Sequence, residues 1–221
     1  MYAVIIVAGG TGSRMNNELP KQLIEINSKP VIVYSIEKFL SFRQDIQVII
    51  SLHADYFDLF EKIKLRYDLK NIYVVQGGET RYQSVKNALS VLNESITIVG
   101  VHDAARPLVS IQTIQKTFNA AEQYNAAIPV IDMNESLREI IDTDSKAVDR
   151  TKFKVVQTPQ CFKKEILLNA YNMPYDPLFT DDASMVEKTG HKIFLTEGNK
   201  ENIKITYPQD LVTAQTLLQS C

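Results

Sequence analysis

Short apolar runs along the chain alternate with stretches whose apolar residues recur three or four positions apart. The runs predict buried strands, and the spaced stretches predict amphipathic helices. The predicted strands are residues 3–7, 47–52, 72–75, 96–101, 127–130 and 192–195. The predicted helices lie around residues 31–40, 82–92, 113–121 and 211–218, the last entered through Pro208. Thr180 or Asp181 is expected to cap a further helix that ends at Gly190. This alternation predicts a three-layer α/β fold with a mainly parallel sheet.

Residues 131–153 interrupt this rhythm, because they are polar and charged and show no helical period. Positions 136–141 alternate, residues 142–145 are typical of a turn, and residues 146–150 can return as a second strand. An isolated hairpin is only marginally stable in water. We therefore expect a protruding β-arm that packs against a second subunit in a homodimer; a flexible surface loop is the alternative.

The composition indicates one globular domain, residues 1–221, since 45% of the residues are hydrophobic and 23% are charged. The net charge of −2 argues against a general nucleic-acid or acidic-membrane surface. No apolar run is long enough to span a bilayer, and the first one is too short for a signal peptide. Cys161 and Cys221 have no metal-ligand spacing, so we interpret them as free thiols of a cytoplasmic protein.

The first predicted strand leads into a glycine-rich loop, VAGGTGSRM at residues 7–15. Its glycines allow a tight turn whose backbone N–H groups can bind phosphate oxygens, and Arg14 and Lys21 add two cations. A dinucleotide-binding loop would have glycine where this chain has Met15. A Walker loop is excluded as well, because the lysine lies in the sequence PKQ at residues 20–22. The loop therefore suits a triphosphate; a purely structural turn is the alternative when the loop is considered alone.

A second candidate site follows the fourth predicted strand, in the sequence HDAARP at residues 102–107. Asp103 can coordinate Mg²⁺ through its carboxylate oxygens. Arg106 can bind a phosphate through two parallel hydrogen bonds. An Asp–Arg pair that only braces the loop is the alternative. Because ligands bind at the carboxyl ends of strands in such sheets, we expect both candidate sites at the same edge.

Taken together, six segments resemble the 2-C-methyl-D-erythritol 4-phosphate cytidylyltransferase family, which has a Rossmann-like nucleotidyltransferase fold. They are AGGTGSRM at 8–15 with PKQ at 20–22, GGETR at 77–81 with Ser84, VHDAARP at 101–107, QTPQ at 157–160, TDDAS at 180–184 and NIKIT at 202–206. The resemblance covers essentially the whole chain. It implies transfer of the CMP moiety of CTP to 2-C-methyl-D-erythritol 4-phosphate with release of pyrophosphate, in the non-mevalonate route to isoprenoids. It also implies a divalent cation, Mg²⁺, as cofactor.

The resemblance also implies roles for individual residues. Arg14 and Lys21 match the catalytic cations. The nucleotide-binding positions are Ala8, Gly9, Gly10, Thr11, Gly12, Ser13, Gly78, Glu79, Arg81, Ser84, Asp103 and Ala104, and Asp103 also matches the metal position. The positions for the sugar-alcohol phosphate are Arg106, Ser136, Arg150, Thr158 and Lys204, of which Ser136 and Arg150 would come from the arm of a second subunit. A phosphate monoester is largely dianionic at neutral pH and needs no general base, so His102 is expected to be a structural hydrogen-bonding residue.

The arm departs from the family pattern, which is Pro-Val-x-Asp-Thr followed by a basic residue. This chain has PVIDMNESLR at residues 129–138, so Ser136 would replace the threonine and Arg138 the basic residue. Ribitol 5-phosphate or another pentitol phosphate therefore stays open as the acceptor, although the related pentitol enzymes tend to carry Ser-Val at positions 104–105. A non-catalytic nucleotide-binding regulator and a nicotinamide oxidoreductase are the alternatives from other classes.

Overall fold

The computed structural model describes residues 1–10 and 19–219, which form twelve strands and seven α-helices. The strands are β1 (Tyr2–Ala8), β2 (Glu25–Ile26), β3 (Lys29–Pro30), β4 (Gln47–Leu52), β5 (Ile72–Gln76), β6 (Ile98–Asp103), β7 (Ala126–Asp132), β8 (Leu137–Ile141), β9 (Asp144–Val148), β10 (Lys154–Val156), β11 (Gln160–Lys163) and β12 (Phe194–Glu197). The helices are α1 (Val31–Phe42), α2 (Phe57–Arg66), α3 (Arg81–Leu89), α4 (Ile111–Tyr124), α5 (Lys164–Ala170), α6 (Asp182–Lys188) and α7 (Pro208–Gln219). Within these described residues, no helix has the length and apolar character needed to cross a membrane.

Eight strands form the central sheet, in the order β10-β7-β11-β6-β1-β4-β5, with β12 paired to β7. The pairs β1–β4, β1–β6, β4–β5 and β7–β12 are parallel. Strand β11 is antiparallel to β6 and β7, and β10 is antiparallel to β7. The predicted α/β fold with a mainly parallel sheet is confirmed. The antiparallel strands β10 and β11 were not predicted, because they are only three and four residues long and a proline lies between them.

Helices cover both faces of the sheet, because successive side chains of a strand point to opposite faces. In β1, Val4 and Ile6 pack into the core formed with α1, α2 and α4, whereas Ala3 and Ile5 pack into the core formed with α3, α5 and α6. All four of these side chains are fully buried. A third, smaller cluster joins α7 to the segment that follows β6, with Ala214 packed near Ala105. The sheet is thus the middle of three layers.

The strand that was predicted at 96–101 begins and ends two residues later, at 98–103. The prediction stopped at Val101 because His102 and Asp103 are polar, and polar residues usually mark the end of a buried strand. Both are nevertheless buried. The His102 ring is hydrogen-bonded to Thr158, and the Asp103 carboxylate is compensated by cations, among them Lys204. The last predicted strand is shifted in the same way, to 194–197. Helices α2 and α5 were not predicted.

The arm forms the predicted hairpin, in which β8 and β9 pair antiparallel with Ile141 opposite Asp144. Its turn is tighter than predicted, because Asp142 adopts a φ of 51° and the second strand already begins at Asp144. The N-terminal end of α6 is capped as predicted by Asp181, whose carboxylate accepts the N–H of Ser184 at 2.9 Å. Gly190, with a φ of 88°, follows the helix as its first residue beyond the cap.

Candidate active site

A cleft of about 200 Å³ lies at the carboxyl edge of the sheet, beyond the ends of β1, β5 and β6. It is lined by Val7, Ala8, Gly9, Gly10, Lys21, Gln22, Gly78, Glu79, Thr80, Arg81, Ser84, Asp103, Ala105 and Lys204. The glycine loop and the segment after the fourth predicted strand therefore meet at one site, as the sheet topology predicted. The rest of the loop falls outside the described residues, including Thr11, Gly12, Ser13 and Arg14.

Gln22 shapes the first wall of the cleft. Its side-chain amide donates to the carbonyl oxygens of Ala8 at 2.6 Å and Gly10 at 3.2 Å, and the side chain is buried. Both acceptors belong to the start of the glycine loop, so one amide fixes the direction in which the chain leaves β1. Because Gln22 directly follows Lys21, the same contact anchors the lysine beside the loop.

The second wall is the turn that leads into α3. Ser84 lies at its centre: its hydroxyl donates to the carbonyl of Thr80 at 2.9 Å and accepts the N–H of Gly78 at 3.1 Å. A Cβ atom at Gly9 would lie 2.8 Å from the Ser84 hydroxyl oxygen, and one at Gly78 would lie 2.2 Å from Cγ of Gln83. Only glycine fits at these two positions without displacement, so backbone groups themselves form this part of the cleft.

Asp103, at the end of β6, is surrounded by cations. Its carboxylate lies 2.9 Å from Nζ of Lys204, 3.5 Å from Nε of Arg81 and 3.6 Å from Nε of Arg106. Burial by itself would raise the pKa of this carboxyl, but Arg81, Lys204 and Arg106 together hold the pKa well below its usual range. Asp103 is therefore ionised at neutral pH. Arg81, Arg106 and Lys204 outnumber Asp103 and the second carboxylate that pairs with Arg81, Asp182, by one charge, which favours an anionic ligand.

Arg81 is held from behind by a second, fully buried carboxylate. Its Nη1 and Nη2 atoms donate to the two oxygens of Asp182 at 2.9 and 2.6 Å. The hydroxyl of Tyr171 donates to the same carboxylate at 2.6 Å. Burial opposes the charge on Arg81, but Asp182 and Asp103 more than compensate and keep its pKa raised. The guanidinium is thereby fixed at the edge of the cleft, with Nε facing Asp103.

The chain matches a known family along nearly its whole length. The model of the 2-C-methyl-D-erythritol 4-phosphate cytidylyltransferase family, IspD, matches residues 2–220. This protein belongs to the IspD family. It is therefore an enzyme of the nucleotidyltransferase class, and the glycine turn, the Asp103 cluster and Lys204 constitute the candidate active site of a family member.

Individual relatives agree with this assignment. The 2-C-methyl-D-erythritol 4-phosphate cytidylyltransferase of Bacteroides thetaiotaomicron is 44% identical over 218 residues, covering 98% of this chain and 99% of the relative. The protein of the same name from Clostridioides difficile is 33% identical, covering 99% of this chain and 94% of the relative.

Solved structures agree as well. The 4-diphosphocytidyl-2C-methyl-D-erythritol synthase of Anaerococcus prevotii superposes with a TM-score of 0.86 at 27% identity, covering 99% of this chain and 98% of that chain. The Francisella tularensis 2-C-methyl-D-erythritol 4-phosphate cytidylyltransferase (IspD) has a TM-score of 0.80 at 31% identity, covering 97% and 98%.

Most described nucleotide positions implied by the IspD resemblance line the cleft, and Ala104 is the exception. Its side chain is buried, its N–H donates to the carbonyl of Val7 at 3.1 Å, and its carbonyl accepts from Ser35 at 3.4 Å. The neighbouring Ala105 lines the cleft instead. Ala104 thus ties the turn after β6 to the end of β1.

The acceptor positions divide into two groups. Lys204 lines the cleft, whereas Arg106 and Thr158 lie behind it, and the Arg106 side chain is only 12% exposed. The Arg106 guanidinium donates to the carbonyl of Asn202 at 2.8 Å, so part of its hydrogen-bonding capacity is used within the fold.

Ser136 and Arg150, on the arm, do not line this cleft in the single chain. Arg150 donates to the carbonyl of Asn134. Arg138 donates across the hairpin to the hydroxyl of Ser145 at 2.8 Å and to its carbonyl at 2.9 Å. A role of the arm in a second subunit's site stays a prediction.

His102 is hydrogen-bonded through both ring nitrogens, to Thr158 Oγ1 at 2.9 Å and to the carbonyl oxygen of Arg106 at 3.2 Å. Burial lowers its pKa to about 4, so the ring is neutral at neutral pH. The thiol of Cys161, the described cysteine, is buried, and burial raises its pKa. Neither the imidazole of His102 nor the thiol of Cys161 therefore lies in the cleft as a reactive group.

Asp103 fits the requirements of Mg²⁺, which prefers oxygen ligands and is commonly held by one or two carboxylates together with substrate phosphates. Its Oδ2 atom is 2.9 Å from Nζ of Lys204, and its Oδ1 atom is 3.5 Å from Nε of Arg81. Over residues 1–10 and 19–219, no group of three or more His, Cys, Asp or Glu side chains could hold an ion on its own. The donor set therefore suits an ion that a triphosphate helps to bind.

Sequence reasoning assigned no role to Gln22, Asp182 or Tyr171. Gln22 and Asp182 lie within the segments that resemble the family. The sequence therefore pointed to these positions, but it did not show which atoms they would contact. Tyr171 offered no such signal, because it lies in no recognisable motif. Its partner Asp182 lies 11 positions later, and Arg81 is 101 positions away from that aspartate.

Proposed function

We propose that this chain transfers the CMP moiety of CTP to 2-C-methyl-D-erythritol 4-phosphate and releases pyrophosphate. The observation that carries the proposal is the cluster of Arg81, Arg106 and Lys204 around Asp103, beside a glycine turn with exposed backbone groups. Family membership and the names of relatives at 33–44% identity support the same substrates.

The proposed chemistry is electrostatic. An oxygen of the acceptor phosphate attacks the α-phosphorus of CTP, an O–P bond forms, and the bond between the α-phosphorus and the bridging oxygen breaks. The electron pair of that bond leaves with pyrophosphate. A dianionic phosphate needs no general base, so the protein must position two anions and neutralise their repulsion. We assign that task to Lys21 and Lys204, with Arg14 as a further cation implied by the resemblance.

Nucleotide selection is proposed for the turn that leads into α3. Ser84 orders this turn through Gly78 and Thr80, and the side chains of Glu79 and Arg81 line the cleft beside it. The backbone N–H and C=O groups of this turn form part of the cleft wall, and they can make hydrogen bonds to the edge of a cytosine base. The close approach of Gly78 to Gln83 holds the turn against α3 and supports a fixed position for these groups. We propose that they accept cytosine and exclude the larger purines.

The arm is proposed to dimerise and to complete the acceptor site of a second subunit through Ser136 and Arg150. The exposed hairpin supports this proposal, because Ile140 is 73% exposed and Ile141 is 48% exposed at its end. Burying such side chains against another subunit is favourable, at about 25 cal/mol for each Å² of apolar surface.

The finer assignments are proposals too. Mg²⁺ would be held by Asp103 together with phosphate oxygens, and it would neutralise charge on the triphosphate. We further propose a single catalytic domain and a cytoplasmic location, the latter from the scarcity of cysteine.

The test is pyrophosphate release in the presence of CTP and Mg²⁺, with 2-C-methyl-D-erythritol 4-phosphate or ribitol 5-phosphate as acceptor. We expect release with the first acceptor and at least tenfold slower release with the second. Preference for ribitol 5-phosphate would move the chain to pentitol phosphates and make the altered arm the determinant of acceptor choice. CTP binding without release from either acceptor would contradict the proposal and favour a regulatory role.

A further inference from the structure

His102 lies directly behind the candidate active site, and its ring is held on every side. The side chain is 0% exposed and packs edge-on against Phe39, with the ring centroids 5.0 Å apart. Its Nε2 atom is 3.2 Å from the carbonyl oxygen of Arg106, and its Nδ1 atom is 2.9 Å from Oγ1 of Thr158. This histidine was expected to be a structural hydrogen-bonding residue, because the transfer chemistry requires no imidazole.

The partners of the ring fix where its proton lies. A carbonyl oxygen can only accept a hydrogen bond, so Nε2 of the neutral ring must carry the proton and donate to Arg106. Nδ1 is then an acceptor, and the hydroxyl of Thr158 must donate to it. The oxygen of that hydroxyl accepts the backbone N–H of Asp103 at 3.1 Å. One series of hydrogen bonds, each with a defined donor and acceptor, therefore runs from Asp103 through Thr158 and His102 to Arg106.

This chain of hydrogen bonds spans a turn that bears two charged groups of the site. The N–H of Arg106 donates to the carbonyl of Asp103 at 3.0 Å, which closes the turn, and His102 connects the two residues a second time. Asn202 extends the connection: its side chain donates to the carbonyl of Thr158 at 2.9 Å, and its carbonyl accepts from Arg106 at 2.8 Å. The segment that contains Asn202 also bears Lys204, whose Nζ lies 2.9 Å from Asp103.

We propose that His102 is a positioning residue of the transfer reaction. As the Nε2–H tautomer it accepts from Thr158 and donates to the Arg106 carbonyl, and it thereby fixes the backbone of Asp103, which bears the carboxylate, relative to Arg106 and Lys204. It touches no reacting atom and acts only through these residues. The kinetic part of the inference rests on the proposed function, but the tautomer and its hydrogen bonds do not.

The tautomer is tested by nitrogen NMR of the imidazole rings at neutral pH. The chain has three histidines, so the His102 signals can be assigned by their loss in His102→Gln. We expect a protonated Nε2 and an unprotonated Nδ1, and we expect Thr158→Val to shift the Nδ1 resonance without changing the tautomer. An Nδ1–H tautomer, or an Nδ1 resonance that does not respond to Thr158→Val, would overturn the inference. This measurement needs no turnover.

Kinetics of two substitutions test the positioning role. The amide of asparagine can replace Nδ1 as an acceptor for Thr158, whereas the longer glutamine reaches the position of Nε2 and cannot accept from Thr158. A displacement of about 1 Å at a reacting group can cost about 100-fold in rate. We therefore expect kcat/KM for the acceptor to fall about 10- to 100-fold in His102→Gln and several-fold less in His102→Asn, while the Kd for CTP changes less than about twofold.

The matched control is His191→Gln, because His191 lies near Asn125 at the opposite edge of the sheet from the cleft. Its kinetics should equal those of the unmodified chain. Equal and unchanged kcat and KM per folded molecule in both His102 variants would overturn the positioning role, even if their thermal stability fell. If the unmodified chain transfers CMP to neither acceptor, the proposed function has failed, and the NMR result still decides the hydrogen-bond arrangement.

Discussion

Replacing Asp182 by asparagine tests whether the buried carboxylate behind the cleft holds Arg81 in place. The substitution keeps the shape and one carbonyl oxygen, but it removes the charge and one acceptor. Asp182 accepts two hydrogen bonds from Arg81, at 2.9 and 2.6 Å, and one from Tyr171 at 2.6 Å. Because the carboxylate is fully buried, no water replaces these contacts when one is lost.

The magnitude follows from these contacts. Each hydrogen bond to a charged group contributes about 1.5–3 kcal/mol, and removing one member of a buried ion pair costs about 3–5 kcal/mol. The Arg81 side chain is 30% exposed, so solvent screens part of the unpaired charge. We therefore expect Asp182→Asn to lower the free energy of unfolding by about 2–3 kcal/mol. That corresponds to roughly 4–12 °C in Tm for a chain of this size.

Urea unfolding at neutral pH measures the change, and a double-mutant cycle with Arg81→Gln isolates the interaction of the pair. We expect a coupling of at least about 1 kcal/mol between the two substitutions. Asp142→Asn is the control, because Asp142 lies exposed in the turn of the arm and asparagine tolerates its φ of 51°. A loss of less than about 1 kcal/mol in Asp182→Asn, or strictly additive substitutions, would refute the reasoning.

Four further predictions concern the cleft and the arm. Lys21→Ala should lower kcat about 10²- to 10³-fold in a folded protein, as loss of a donor to developing charge does in other enzymes; near-normal pyrophosphate release would remove this lysine from the mechanism. Gly78→Ala should lower stability by about 1–3 kcal/mol, because the new Cβ would overpack the first turn of α3. Gly10→Ala, whose Cβ would meet no described atom within 4 Å, should change stability far less in the same urea titration. The lowered pKa of Asp103 means that its ionised form stabilises the fold above about pH 3.9 and that this contribution is lost as the pH falls further. Asp103→Asn should therefore lose less stability than the unmodified chain between pH 7 and pH 3, and an equal loss in both proteins would contradict the assignment. For the proposed dimer, Ile140→Asp should shift the mass measured by light scattering from that of a dimer to that of a monomer, and a dimer that persists unchanged would exclude the end of the arm from the interface.

Much of the architecture could be predicted from local patterns. The predicted strand at 47–52 has the same bounds as β4, because all six of its residues are buried and the buried run, which begins at Ile46, lies between exposed Asp45 and His53. Residues 3–7 lie within β1 for the same reason. Two kinds of prediction failed. Strands β10 and β11 were missed because they are too short to show a period. The end of β6 was placed too early because His102 and Asp103 are polar residues inside a buried strand. Their polarity is compensated only by tertiary contacts.

The candidate site, too, could be predicted only in part from the sequence. Glycines and charged residues at the ends of strands could be predicted to converge, because the parallel topology places those ends at one edge. Which partner each charge would choose could not be predicted. Arg81 was expected at a nucleotide-binding position, and it also contacts Asp103 and pairs with Asp182, 101 positions later in the chain. A spacing of that size has no local signature, since only the closed fold decides which side chains meet.

The charge arrangement explains why a second carboxylate was needed. Arg81, Arg106 and Lys204 all approach Asp103, so a single negative charge faces three positive ones. Without Asp182, the partly exposed guanidinium of Arg81 would keep Asp103 as its remaining carboxylate partner among the described residues. With Asp182 behind it, Arg81 is compensated on the side away from the cleft, and Asp103 remains available at the cleft surface. The fold thus separates the carboxylate that neutralises an arginine from the carboxylate that can face a substrate.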